Sequence, residues 1–75
     1  MPELPSVPGK AVIAAFGKIG FELDRVRGSH HVLKKDGHLF VLTVPVHGNE
    51  PIKKGTLRRL IRDAGITKEE FCKLL

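Results

Sequence analysis

An α+β fold is predicted, in which a helix, a three-stranded antiparallel sheet, a second helix and a short third helix follow one another along the chain. Three features carry this. Val12, Ile13, Phe16 and Ile19 recur at helical spacing. The stretch 21–44 carries strand-like segments punctuated by Gly28-Ser29 and Asp36-Gly37. Leu57, Leu60 and Ile61 then restore the helical period. Helices flanking a run of strands pack on one face of the sheet and leave the opposite face or its edge loops open.

The chain opens on Met1-Pro2-Glu3-Leu4-Pro5 and stays proline-rich through Pro8 and Gly9, which predicts extended backbone and bears no likeness to a signal peptide. From Lys10 the pattern turns helical, with Ser6 and Pro8 just inside as its start signal and Gly20 as its stop, and its apolar stripe is core. Phe21 to Arg27 is a strand that begins buried and ends in solvent. Phe21, Leu23, Arg25 and Arg27 share one of its faces, and Glu22, Asp24 and Val26 the other. Gly28-Ser29 reverses the chain into a middle strand, His30 to Lys35. Asp36-Gly37 predicts a type I′ hairpin, because both central positions of that turn take positive φ. His38 to Val44 is then the most apolar strand and the best covered, since both of its faces are apolar. Pro45 ends it, lacking the N–H that a ladder needs.

Val46 to Gly55 is a polar loop carrying His47, Gly48-Asn49, Pro51 and the pair Lys53-Lys54. The second helix is placed at Thr56 to Ala64, with Leu57, Leu60 and Ile61 inward, Arg58, Arg59 and Arg62 outward, and Gly65 as its stop. Thr67-Lys68-Glu69-Glu70 is a capping box, so a last helix carries Phe71, Leu74 and Leu75. Cys72 sits in that apolar pattern as a small core hydrophobe.

With 75 residues, the chain is expected to form one domain, 1–75, near the lower limit for a core without disulfides or metal. Thirteen Lys and Arg against eight Asp and Glu leave a charge of +5, which favours a polyanionic partner, nucleic acid first. The single cysteine allows no internal disulfide and fits a reducing compartment. No apolar run approaches the roughly 20 residues of a membrane span, so a cytoplasmic protein without membrane contact is expected.

Four histidines, at 30, 31, 38 and 47, match no common zinc spacing, and no carboxylate cluster completes a set, so no metal or cofactor is predicted. Phosphate loops, dinucleotide fingerprints and nucleophile elbows are absent too, and Ser29 adjacent to His30 lacks the orienting acid of a hydrolase. What remains is His30 among Arg25, Arg27, Lys34 and Lys35. A neutral imidazole can take the proton of a ribose 2′-hydroxyl while nearby cations stabilise the charge that develops on the attacked phosphate. His47, Lys34 or water would donate the second proton. Gly28, Ser29, Lys34, Lys53, Lys54 and Arg58 are the candidate RNA contacts. Arg58, Arg59 and Arg62 read first as a solvated outer face, the usual outcome for charges at this spacing, and functionally as a surface that straddles RNA phosphates or meets an acidic partner. Alternation puts His30, Val32 and Lys34 on one strand face and His31, Leu33 and Lys35 on the other, and leaves open which face the helices cover.

Gly28-Ser29-His30, Thr43-Val44-Pro45-Val46-His47, Lys54-Gly55-Thr56-Leu57-Arg58 and Ala64-Gly65-Ile66-Thr67 together resemble the small HicA toxins of bacterial toxin-antitoxin systems. Leu4-Pro5 through Gly9-Lys10 and Lys18-Ile19-Gly20-Phe21 are similar as well, so the resemblance covers nearly the whole chain. It implies a double-stranded-RNA-binding-domain-like (dsRBD-like) α-β-β-β-α fold with a short extra C-terminal helix. It also implies an mRNA interferase, a metal-independent endoribonuclease, monomeric when free and held in check by a HicB antitoxin that covers its active site. The family's catalytic histidine follows Gly-Ser, which maps to His30; His31 falls at a variable, supporting position, and no role carries over to His47. The Asp36-Gly37 hairpin is tighter than the corresponding loop of relatives. Two other classes fit the same residues: a non-catalytic double-stranded-RNA-binding module, which needs phosphate and 2′-hydroxyl contacts but no base, and a basic protein-interaction domain.

Overall fold

The computed structural model describes residues 4–75; Met1-Pro2-Glu3, part of the extended start predicted above, lies outside the described residues. The elements run α1 (Gly9–Gly17), β1 (Glu22–Arg27), β2 (His30–Lys34), β3 (Leu42–Pro45), α2 (Lys54–Ala64) and α3 (Lys68–Leu74). The strands form one antiparallel sheet in the order β1-β2-β3, so the predicted α+β order is the observed one.

Helix α1 starts at Gly9, one residue before the Lys10 where the helical pattern begins, and neither Ser6 nor any other side chain caps it. Pro8 is its N-cap, with a carbonyl that accepts from the amides of Ala11 and Val12 at 3.1 and 3.2 Å. A Cβ on Gly9 would collide with the carbonyl oxygen of Pro45, so glycine is what lets α1 begin against the backbone at the end of β3. The far end of α1 tightens through residues 18–20, where the Gly20 amide donates to Gly17 and the Phe21 amide to Phe16, each at 3.2 Å. Helix α2 starts at Lys54, two residues ahead of Thr56, and closes on Gly65 as anticipated. The capping box on α3 is complete. The Glu70 amide donates to Thr67 Oγ1 at 3.1 Å, and the Thr67 amide to Glu70 Oε1 at 3.0 Å.

One core joins all three helices to one face of the sheet. Val12, Ala15 and Phe16 of α1, Leu57, Leu60 and Ile61 of α2, and Phe71 of α3 meet Leu33, Leu42 and Val44 of the strands. Phe16 is the hub, 5.9 Å from the ring of Phe21 and 5.5 Å from that of Phe71. Phe16 and Phe71 are fully buried, and each contributes about 1.5–3 kcal/mol by the usual worth of a buried aromatic. Cys72 is only half-buried and lies beside this core rather than in it.

Two strands depart from the sequence reading. Strand β1 is exposed throughout, because it is an edge strand and because the register shifts around Asp24. Leu23 pairs with Leu33 but Arg25 pairs with Val32, so the extra residue re-phases the strand and separates Leu23 from Arg25 and Arg27. Strand β3 begins at Leu42, not His38, and keeps Pro45 as its last residue. Leu39, Phe40 and Val41 are 87%, 53% and 56% exposed, the reverse of the expected cover. The reason lies in the turn and in His38. Only Gly37 of the Asp36-Gly37 pair has positive φ, so the turn is not type I′, and the His38 amide closes it by donating to the Lys35 carbonyl at 3.0 Å. Such turns splay the flanking strands rather than twisting them together. The His38 ring is meanwhile drawn to α2, where Nε2 donates to the Asp63 carbonyl at 2.7 Å and the ring packs edge-on against Phe21.

Candidate functional site: the open face of the sheet and a neighbouring cleft

Arg27 and His30 pair across the β1-β2 hairpin, leaving Gly28-Ser29 as a two-residue turn. Gly28 has φ 60° and Ser29 does not have positive φ, the pattern of a type II′ turn that accepts glycine at its first central position. A Cβ at Gly28 would touch nothing within 4 Å, so the demand for glycine there is conformational rather than steric. The Ser29 carbonyl accepts from the Val46 amide at 2.7 Å, which ties the turn to the chain leaving β3.

Register then decides the faces. His30 sits between Arg27 and Pro45, Val32 between Arg25 and Thr43, and His31 between Val26 and Val44. Leu33, Leu42 and Val44 belong to the core, so His31 lies on the helix-covered face. His30, Val32, Lys34, Arg25, Arg27 and Thr43 therefore share the face turned away from the helices. His30 is exposed there. His31 is half-buried, and its Nδ1 is shut off from solvent without a hydrogen-bond partner.

The charge on the open face is uneven. Lys34 Nζ lies 3.3 Å from Asp24 Oδ1, so this predicted RNA contact is partly neutralised by the bulge residue. Among the described residues, Arg25 and Arg27 have no carboxylate within ion-pairing distance, and they supply the free positive charge nearest His30 in the pairing. Sequence reasoning named both arginines as surroundings but not as contacts. The signal that singles them out is the Asp24 bulge, which brings them onto the face of His30.

The remaining predicted contacts form a second group at the start of α2. Lys53 and Arg58 are exposed, whereas the Lys54 ammonium donates to the carbonyl of Leu4 and acts as a tie to the N-terminal segment. Around this group lies a cleft of about 600 Å³, walled by Ser6, Pro45, His47, Glu50, Pro51, Ile52, Lys53, Lys54 and Thr56. Pro45 belongs to both groups, as the cross-strand neighbour of His30 and as a wall of the cleft. His38 joins neither, being engaged with Asp63 and Phe21. Among the described residues, no group of His, Cys, Asp or Glu side chains is assembled to hold a metal ion, and no helix is long and apolar enough to cross a membrane.

A basic chain of this topology, with a solvent-facing histidine behind a Gly-Ser turn, falls into the class of toxins from bacterial toxin-antitoxin pairs when compared with known families. The matching family model, described as the HicA toxin of bacterial toxin-antitoxin systems, covers residues 9–66, from the first residue of α1 to just beyond α2. The chain belongs to the HicA toxin family. Membership implies an antitoxin partner. No curated protein matches the sequence.

Proposed function

We propose that the chain acts as one domain, an mRNA endoribonuclease of the cytoplasm that needs no metal, with His30 as general base. The observation that supports this best is the exposure of His30 at the entrance of β2, on the face away from the core and beside Arg27, in a chain of the HicA family. In this reading the neutral imidazole removes the proton of a ribose 2′-hydroxyl. The oxygen so formed attacks the adjacent phosphorus, giving a 2′,3′-cyclic phosphate, and the 5′-oxygen leaves with a proton from His47, Lys34 or water. Arg25 and Arg27 face the phosphate and stabilise the charge that grows on its oxygens, since donors fixed in place act most strongly where charge develops. Gly28 and Ser29 hold the imidazole at the strand entrance. A HicB-like antitoxin would silence the toxin by covering this face.

The experiment is digestion of RNA by the purified chain in EDTA, with end-group analysis, beside a substrate carrying a 2′-deoxy sugar at the cut position. Cleavage of the all-ribose strand to a 2′,3′-cyclic phosphate, and none of the deoxy-substituted strand, is expected. Cutting of both strands, or cutting only when divalent metal is restored, contradicts the mechanism. Salt-sensitive RNA binding with no cleavage would favour the non-catalytic RNA-binding module instead.

A further inference from the structure

The cleft beside His30 has a chemistry of its own. We propose that it is a subsite for one unpaired ribonucleotide adjoining the cleaved bond, and that Glu50 makes it prefer a base carrying an amino donor. The proposal rests on the nuclease reading for its place in the reaction, but not for the binding itself.

Position is the first support. Pro45 forms part of the wall and is the register partner of His30, and paired strand residues lie about 5 Å apart, so one wall residue of the cleft stands a single strand spacing from the histidine. Shape is the second. A volume of about 600 Å³ is in the range of small-molecule sites. The cleft is also braced: Pro8 bridges to Pro51, the Ile52 amide donates to the Val7 carbonyl at 2.9 Å, and the Lys54 ammonium donates to Leu4. These bonds strap the N-terminal segment across the loop and hold the wall on which Ser6 stands.

The lining completes the case. Pro45, Pro51 and Ile52 offer apolar surface to the flat faces of a base and sugar. His47 supplies a ring for stacking, and Lys53, unlike Lys54, keeps its ammonium free for a phosphate among the described residues. Sequence-selective RNA recognition acts mainly on unpaired bases that can be stacked and read at their edges. Glu50 is the one carboxylate among the lining residues. As an acceptor it takes a hydrogen bond from the N4 amino group of cytosine and repels the O4 carbonyl of uracil, two groups in the same place on bases of nearly equal size.

The test titrates cytidine and uridine 5′-monophosphates into the 15N-labelled full chain and into His30→Ala, reading amide shifts. Shifts concentrated at residues 45–56, with cytidine bound at least threefold tighter, are expected in both. Glu50→Gln should erase the difference, and Ser6→Trp, at an exposed rim position, should abolish the shifts while leaving the rest of the spectrum folded. Shifts elsewhere on the chain, no shifts at all, or binding untouched by Ser6→Trp overturn the proposal. Because the readout is binding, a His30→Ala chain that still cuts RNA would sink the catalytic assignment without touching the cleft.

Discussion

His30 and His31 are the same kind of residue, adjacent in the chain and in one strand, yet they occupy different environments. His30 stands exposed between Arg27 and Pro45, while His31 is wedged between Val26 and Val44 with an unbonded nitrogen shut away from solvent. The pleat alone separates them, since successive side chains point to opposite faces of a sheet. The parity of a position, and which face the helices cover, therefore decide which of the two rings meets solvent. The contrast recurs at Leu33, sealed into the core, and Lys34, exposed on the far side, although Val32 between Arg25 and Thr43 on that far side is buried.

Breaking the core face should have the largest effect on stability. Leu33→Ala is expected to cost about 3 kcal/mol, the usual range for emptying a sealed aliphatic site, read as a lower midpoint in urea unfolding. A loss below about 1 kcal/mol would mean that this face is not closed. The His31 side of the comparison gives a smaller effect of opposite sign. His31→Leu removes a buried polar atom that has no partner and should stabilise the chain by about 1 kcal/mol in the same assay, with RNA cleavage kept. A fall in stability, or in cleavage, would show that His31 has a partner or a task of its own. Smallest is Asp24→Asn. The pair it breaks is open to solvent on the Lys34 side and partly so on the Asp24 side, so stability should move by less than about 1 kcal/mol, while RNA binding at low salt should tighten as Lys34 is released. Weaker binding after that change would take Lys34 out of the RNA surface.

Local signals announced most of the fold. The closing glycine after α2, the Thr67-Glu70 box and the Gly28-Ser29 turn each depend on residues close in sequence, and each is found where the pattern put it. Of the α1 stripe, Val12 and Phe16 are buried as read, while Ile13 and Ile19 are only partly buried and Ile19 lies past the helix end at Gly17. What escaped depends on distant contacts. His38 leaves the path of β3 because it binds the Asp63 carbonyl, 25 residues away, and no periodicity in 38–44 encodes that. The re-phasing at Asp24 turns on a single inserted residue, which alternation cannot detect. At the site, His30 was legible as a candidate from its neighbours, but its face was not, since that follows from where α1 and α2 pack. The cleft was hidden for a similar reason: its walls come from residues 6, 45–56 and the strap between Pro8 and Pro51, which are remote in the chain.

The most direct test of His30 is the rate of RNA cleavage by His30→Ala measured beside His31→Ala, both verified as folded. Loss of a general base predicts that His30→Ala cuts about 10²- to 10⁴-fold more slowly than the parent while His31→Ala stays within a few-fold of it. Equal loss in both, or an unimpaired His30→Ala, would contradict the assignment of the chemistry to the open face of the sheet.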